Sequence, residues 1–288
     1  MVEKSIRIAF CVNRKSNPDA FSNQTIPLYN SSTYQLLHLN AKIKSLLKRG
    51  EHMFSGEVQE RFILFSTEHI IMLALFILIT ITGLRLFLRS DFVKHTNRWT
   101  LLFAGIFFIS ELSYQIWALS VGIWKAANYL PLQLCSFSTF FGLFLLFKPN
   151  RPIFYFYFYI AIFPPIFALL TPDLAYAFPH YFYWKFFIQH MAIPLSAVFL
   201  LRRDHYTLPK SSILYALALL NLCALGIWWA NTMTGGNYFF LNGPPASDTA
   251  LSIFGDGIIY IVGLEITALI VFIITWWLGN KMVHPKAT

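Results

Sequence analysis

The distribution of apolar residues along the chain predicts seven membrane-spanning helices. A helix that crosses the hydrocarbon core of a bilayer needs about 20 mainly apolar residues. Seven such segments follow one another with short polar gaps, at residues 63–88, 101–121, 129–147, 152–171, 182–201, 212–231 and 255–279. The run FYFYFY has the composition of a strand, but the apolar stretch around it is too long for the alternating pattern of an outer-membrane barrel. We therefore expect an all-α membrane protein, a seven-transmembrane-helix bundle.

The basic residues of the loops predict how this bundle is oriented. Cytoplasmic loops of membrane proteins carry an excess of Lys and Arg. Basic residues lie between predicted spans one and two, three and four, and five and six, and again after span seven, whereas the alternate loops contain only Lys125. This pattern predicts an N-terminus outside the cell and a cytoplasmic C-terminus, in a multi-pass protein of the plasma membrane.

Composition and charge exclude several classes of function. The sequence is 57% hydrophobic and 12% charged, against about 25% charged residues in a soluble domain. The net charge of +9 comes from residues at helix ends and in the N-terminal segment rather than on one face, so we expect no nucleic-acid partner. The three cysteines show no metal-ligand spacing, and no nucleotide-binding motif is present. We expect neither a metal nor a cofactor.

Residues 1–52 do not fit the predicted orientation. They contain eight of the 22 Lys and Arg residues, although they precede the first span on its outer side. One interpretation is a basic amphipathic helix around residues 34–48 that lies on the membrane surface. The other is that translation begins at Met53, so that the membrane domain comprises residues 53–288 alone. We favour the second interpretation because it removes the conflict.

Polar residues within the predicted spans define a candidate site. Ionisable groups in a bilayer are costly and usually face the bundle interior or a water-filled cavity. With a rise of 1.5 Å per residue, six of these groups lie roughly 9–15 Å below the outer ends of their helices, namely His69, Glu111, Cys135, His190, Asn221 and Glu265. The candidate residues are Glu68, His69, Glu111, Cys135, His190, Asn221 and Glu265, together with Gln133 and Asn237. The alternative, above all for Glu111 and Asn221, is that they act only as interhelical ties.

Cys135 is distinguished from Cys223 by its predicted position. Asn128 is a suitable cap for span three and Pro131 suits the first turn of a helix, so Cys135 would lie one turn further, near the positive end of the helix dipole. A thiolate is favoured there, and a histidine at similar depth, His190, could take its proton. The alternative is that Cys135 is a small apolar filler, as we expect for Cys223.

The loop 231–254 is the remaining informative segment. It begins NTMTGGNYFFLNGPP, which is polar and rich in glycine. Gly235–Gly236 and Gly243–Pro245 are typical of turns. The loop is either a lid or re-entrant segment above the polar residues or a plain connector.

Four segments together resemble a known family. FILFSTEHI (Phe62–Ile70), LPLQLCS (Leu130–Ser136), FFIQH (Phe186–His190) and GGNYFFL (Gly235–Leu241) resemble the YwaF-like family of bacterial integral membrane proteins, over about residues 63–279. That family is similar to an animal membrane family that makes polyunsaturated ether phospholipids by acyl transfer and is associated with a cysteine and a histidine on separate spans.

The resemblance implies a role for each member of the predicted pair. Cys135 would accept an acyl group as a thioester, His190 would act as general base, and a membrane lipid would be the substrate. The last outer loop departs from the relatives, because Gly243 stands where a basic residue is expected and Asp256–Gly257 where a Trp is expected. Recognition of the lipid is therefore left open.

Three classes of function remain. The leading hypothesis is a lipid acyltransferase or lipid hydrolase that acts in the outer leaflet. The second is a proton-coupled transporter or small-molecule sensor that uses Glu111, His69 and Glu265. The third is a bundle that binds haem between His69 and His190. The sequence does not fix the oligomeric state.

Overall fold

The computed structural model describes residues 39, 50, 52–87, 96–245 and 249–283. All features below lie in the unit formed by residues 51–288. The predicted N-terminal extension, residues 1–52, lies almost entirely outside the described residues, and so do both interpretations of it.

The described part of the chain is helical and contains no strand, which confirms the predicted all-α class. The long helices are α1 (Thr67–Phe87), α2 (Thr96–Ser120), α3 (Leu134–Phe147), α4 (Arg151–Leu170), α5 (Tyr181–Arg203), α6 (Ser211–Thr234) and α7 (Gly257–Val283). A single helical turn, Ala126–Tyr129, precedes α3, and two 3₁₀ turns, Tyr238–Phe240 and Ala250–Phe254, lie between α6 and α7.

Within the described ranges, six of these helices are long and apolar enough to cross a membrane, and α3 is the exception. It has 14 residues, which corresponds to a length of about 21 Å. The chain leaves the helical turn at Leu130 in an extended conformation, because a residue that precedes a proline is disfavoured in the helical region. Helix α3 therefore begins at Leu134 and not at residue 129, as predicted. The seven-span count and the orientation of the termini stay predictions.

Helix α4 shows how local sequence fixes a helix start. The side chain of Asn150 accepts a hydrogen bond from the backbone N–H of Ile153 at 3.0 Å, which satisfies one of the free donors of the first turn. Pro152 follows within that turn, where the missing N–H of proline costs nothing. The helix contains the FYFYFY run, of which Phe154 and Phe156–Tyr159 are buried.

Helix α5 is the central helix of the described bundle. It is the most buried of the long helices and contacts α1, α2, α3, α4 and α7. Gln189 and His190, near its middle, are consequently interior, with 0% and 5% of their surface exposed.

Candidate functional site

Cys135 is the second residue of α3. The first N–H groups of a helix have no intrahelical partner and give that end a partial positive charge. The predicted cap was wrong, because Asn128 lies within the preceding helical turn and Gln133 directly precedes α3. Cys135 therefore lies closer to the start of α3 than the sequence predicted. The positive end of this helix favours negative charge on or near the sulfur.

A continuous chain of hydrogen bonds connects the backbone of Cys135 to Glu111. The hydroxyl of Thr139 donates to the Cys135 carbonyl at 2.9 Å. The amide nitrogen of Gln189 donates to Thr139 Oγ1 at 2.8 Å and to Glu111 Oε1 at 2.6 Å. Thr139, Gln189 and Glu111 are all buried. We call Glu111, Thr139 and Gln189 the amide cluster; it joins α2, α3 and α5.

Gln189 was not among the candidate residues, although it lies in the segment FFIQH. A glutamine in a span is most often read as an interhelical tie. Its central position follows only from the packing of α5, which the sequence does not give.

Lys185 is a second residue that the sequence interpretation missed. It lies one turn before Gln189 on α5, and its Nζ lies 4.4 Å from the centroid of the Tyr114 ring. Its ammonium group is within electrostatic range of the Cys135 thiol, as is the Glu111 carboxylate. A charged residue inside a predicted span is itself a sign of a site, and this sign could have identified Lys185.

His190 is buried close to these residues, but it has separate contacts. Its Nδ1 lies 2.8 Å from the carbonyl oxygen of Phe186, and its ring stacks on that of Phe186 with centroids 4.1 Å apart. The carbonyl can only accept, so Nδ1 carries the proton and Nε2 keeps a free lone pair. Among the described residues no hydrogen bond joins His190 to Cys135, and the pair stays a prediction.

His69 does not belong to the polar site. It is fully buried, its Nδ1 accepts from the backbone N–H of Phe65 at 3.1 Å, and its Nε2 donates to the Leu169 carbonyl at 2.9 Å. Both ring nitrogens are therefore used to join the start of α1 to the end of α4. Neither is available for the haem iron or the proton path considered above. The neighbouring Glu68 is exposed in the first turn of α1.

Asn221 and Glu265 form a contact of their own between α6 and α7. The amide of Asn221 donates to Glu265 Oε2 at 3.1 Å, and this contact is exposed. Glu111, His69 and Glu265, the three groups of the transporter hypothesis, thus have three separate sets of hydrogen-bond partners.

The segment after α6 packs against the residues that precede α3. The Tyr238 hydroxyl accepts from the Leu130 N–H at 2.9 Å and donates to the Ala126 carbonyl at 2.6 Å. Gln133 Oε1 accepts from the N–H of Phe239 at 3.3 Å. Two of the segments that carry the family resemblance, Leu130–Ser136 and Gly235–Leu241, are therefore in direct contact.

The side-chain amides of Asn231 and Asn237 stabilise the conformation of the segment after α6. Asn231, buried at the end of α6, bonds both the N–H and the carbonyl of Tyr238, at 2.8 and 3.0 Å. Asn237 donates to the Gly243 carbonyl and accepts from the Asn242 N–H, at 3.0 and 2.9 Å. Asn237 thus stabilises the conformation of residues 235–243, and the lid and the connector interpretations of the loop both stay predictions.

Burial shifts the pKa of two polar side chains, His180 directly before α5 and Tyr129 at the end of the one-turn helix. Burial lowers the pKa of His180, which accepts from the Phe182 N–H at 3.1 Å and whose Nε2 lies 2.9 Å from the Ser55 carbonyl. Burial raises the pKa of Tyr129 to about 12. Neither group changes charge between pH 7 and 8, so both act there as neutral hydrogen-bonding groups.

Within the described ranges, no three His, Cys, Asp or Glu residues are grouped so as to hold a metal ion.

Comparison with known proteins identifies a family. The model of the TMEM164 family matches residues 64–276 of this chain, which include all seven predicted spans except their outermost residues. An uncharacterised protein of Treponema pallidum (strain Nichols) is 33% identical over 119 residues, which are 41% of this chain and 49% of that protein. The match therefore spans about half the length of this relative. No solved structure matches the chain. The YwaF-like assignment within this wider likeness stays a prediction.

Proposed function

Since the chain belongs to the TMEM164 family and is a multi-pass membrane protein, we propose that it modifies membrane lipids, as an acyltransferase or lipid hydrolase with Cys135 as nucleophile. The position of Cys135 carries this proposal. The thiol lies in the first turn of a short helix, within electrostatic range of both the Lys185 ammonium and the Glu111 carboxylate, and the loop after α6 bonds Gln133 directly before that helix. A positive helix end and a nearby cation stabilise both a thiolate and the oxyanion that forms when a thiol attacks an ester.

His190 is the proposed base for the first step. Its Nε2 keeps a free lone pair because Nδ1–H donates to the Phe186 carbonyl, the arrangement that prepares a neutral histidine to take a proton. In this step the sulfur bonds to the acyl carbon of a lipid and the thiol proton passes to His190. The C–O bond then breaks, and the leaving alcohol takes the proton from His190.

We place this site in the outer leaflet of the plasma membrane, following the predicted orientation. Lys185 supports an ester lipid as substrate, because a cation at this depth can also hold the anionic part of a headgroup. A role in proton transport has less support, since Glu111, His69 and Glu265 do not share partners.

The first test replaces Cys135 by Ala and compares membrane lipids. Cells that lack the protein are complemented with the wild type, Cys135→Ala or Cys223→Ala. The second cysteine is a matched control, because it lies in the middle of α6 and packs among apolar residues. We expect Cys135→Ala to give the acyl composition of the deletion strain, and Cys223→Ala that of the wild type.

Equal protein levels in the membrane fraction are required for all variants. Full restoration of the lipid profile by Cys135→Ala would contradict a nucleophilic role for this residue. A lipid profile that does not differ between deletion and wild type would contradict the proposed function as a whole.

A further inference from the structure

Three buried polar atoms on α2 and α5 have no hydrogen-bond partner among the described residues. They are Ser110 Oγ, Glu111 Oε2 and Gln189 Oε1. All three residues are more than nine-tenths buried, with exposed fractions of 6%, 7% and 0%. A buried polar atom without a hydrogen bond costs about 1–3 kcal/mol.

The existing hydrogen bonds determine whether each unpartnered atom needs a donor or an acceptor. Both amide hydrogens of Gln189 are used, one on Thr139 and one on Glu111. The free atoms of Gln189 and Glu111 are therefore acceptors, whereas the Ser110 hydroxyl can both donate and accept. A complementary ligand of the amide cluster must therefore donate at least one hydrogen bond. A hydroxyl group has this chemistry, in water or in an alcohol.

Hydrogen bonds also connect the amide cluster to the backbone of Cys135. The hydrogen bond from Thr139 to the Cys135 carbonyl and the two bonds of Gln189 link Glu111 to the start of α3. His190 follows Gln189 on α5 and is rotated by about 100° about the helix axis. The cluster and His190 therefore lie on different faces of α5, and a hydroxyl held by the cluster does not compete with the base of the first step.

We propose that Glu111, with Gln189, binds the hydroxyl nucleophile that releases the acyl group from Cys135. This inference rests on the proposed function, because it concerns the second half of that reaction. The hydroxyl oxygen bonds to the acyl carbon, and the C–S bond breaks with its electron pair on sulfur. The hydroxyl proton passes to Glu111 Oε2 and then to the sulfur, which restores the thiol. Water gives a fatty acid, and an alcohol gives a new ester.

The two half-reactions can be measured separately. Purified full-length protein is mixed with vesicles of phosphatidylethanolamine and phosphatidylglycerol that carry an alkyne-tagged acyl chain. Label attached to the protein and removed by hydroxylamine reports the thioester on Cys135. Labelled fatty acid and labelled new ester report its release to water and to an alcohol, respectively. Addition of ¹⁸O-water identifies the oxygen of the released acid.

We expect Glu111→Gln to form the thioester at the wild-type rate and to release it about 10²-fold more slowly, the usual range for loss of a proton acceptor. Label should then accumulate on Cys135. Glu111→Asp should recover part of the release rate. Glu265→Gln is the matched control, because it makes the same change on α7, where the carboxylate contacts Asn221 instead. It should behave as wild type.

The outcomes distinguish this inference from the proposed function. Absence of label on the wild type, or equal label on Cys135→Ala, would overturn the proposed function and this inference with it. A labelled wild type together with a Glu111→Gln variant that releases the acyl group normally, or that never becomes labelled although it folds, would overturn only the role of Glu111. Labelled acid with ¹⁸O identifies water as the nucleophile, and labelled ester identifies an alcohol; either supports the hydroxyl site.

Discussion

Gln189 and His190, consecutive residues of α5, have different hydrogen-bond partners. Gln189 makes two hydrogen bonds to other helices, whereas His190 bonds only the carbonyl one turn before it on its own helix. Their depths are nearly equal, and only the rotation of about 100° between them separates their partners. At the scale of single residues, function here depends on which face of a helix a side chain occupies.

His69 should be required for stability and not for chemistry. His69→Phe removes the hydrogen bonds to Phe65 and Leu169 and leaves the Leu169 carbonyl without this partner. A buried polar group that loses its partner costs about 1–3 kcal/mol. We expect a lower thermal unfolding temperature in detergent, with unchanged specific activity per folded molecule. A loss of activity without loss of stability would contradict this structural role.

His180 should make stability depend on pH in the acidic range. Burial lowers its pKa in the folded protein below the value of 6.5, so the unfolded chain binds the proton more readily. The folded protein is therefore fully stabilised by this group above pH 6.5, and the contribution is lost as the pH falls below that value. Thermal unfolding at pH 7.5 and 5.5 measures the effect. His180→Asn, which keeps a side chain able to cap α5, should show a smaller difference, and an equal difference would exclude His180 as its source.

At the scale of elements, the contact between the loop and the helical turn Ala126–Tyr129 depends on a glycine. A Cβ atom on Gly236 would lie 2.7 Å from the carbonyl oxygen of Ala127, whereas one on Gly226, in the middle of α6, would meet nothing within 4 Å. We expect Gly236→Ala to destabilise the protein by about 1–3 kcal/mol and to expose the loop 231–254 to added protease. Gly226→Ala should be neutral or stabilising by up to about 1 kcal/mol. Equal effects of the two substitutions would show that the loop does not press on Ala127.

The sequence predicted the elements better than the site. Helix α5, predicted at 182–201, spans Tyr181–Arg203, because its apolar length and flanking charges are properties of the sequence alone. Helix α3 begins five residues later than predicted, since the effect of Pro131 on Leu130 was underestimated. Depth along each helix was predictable from the rise per residue, but rotation and lateral neighbours were not. This is why His69, Asn221 and Glu265 were grouped with Cys135, although each bonds different partners.

At the scale of the whole molecule, the orientation of the bundle determines which leaflet the Cys135 site can reach. The predicted orientation places the α3 start and the loop 231–254 outside. Alkaline phosphatase fused after Gly243 should be active, because it folds only outside the cytoplasm, and the same enzyme fused after Asp204 should be inactive. The reverse result would place the site in the inner leaflet while leaving its geometry unchanged.

The short third helix has a further consequence for the bilayer itself. Its length of about 21 Å is roughly 9 Å less than the thickness of a typical hydrocarbon core. A bilayer accommodates such a mismatch by thinning locally, at a modest cost for each ångström. If α3 crosses the membrane as predicted, the bilayer next to it is thinned in this way, and lipid ester groups lie closer to the thiol at its end. We expect the proposed reaction to be faster in bilayers of short-chain lipids than in thick ones, so that membrane thickness sets the rate.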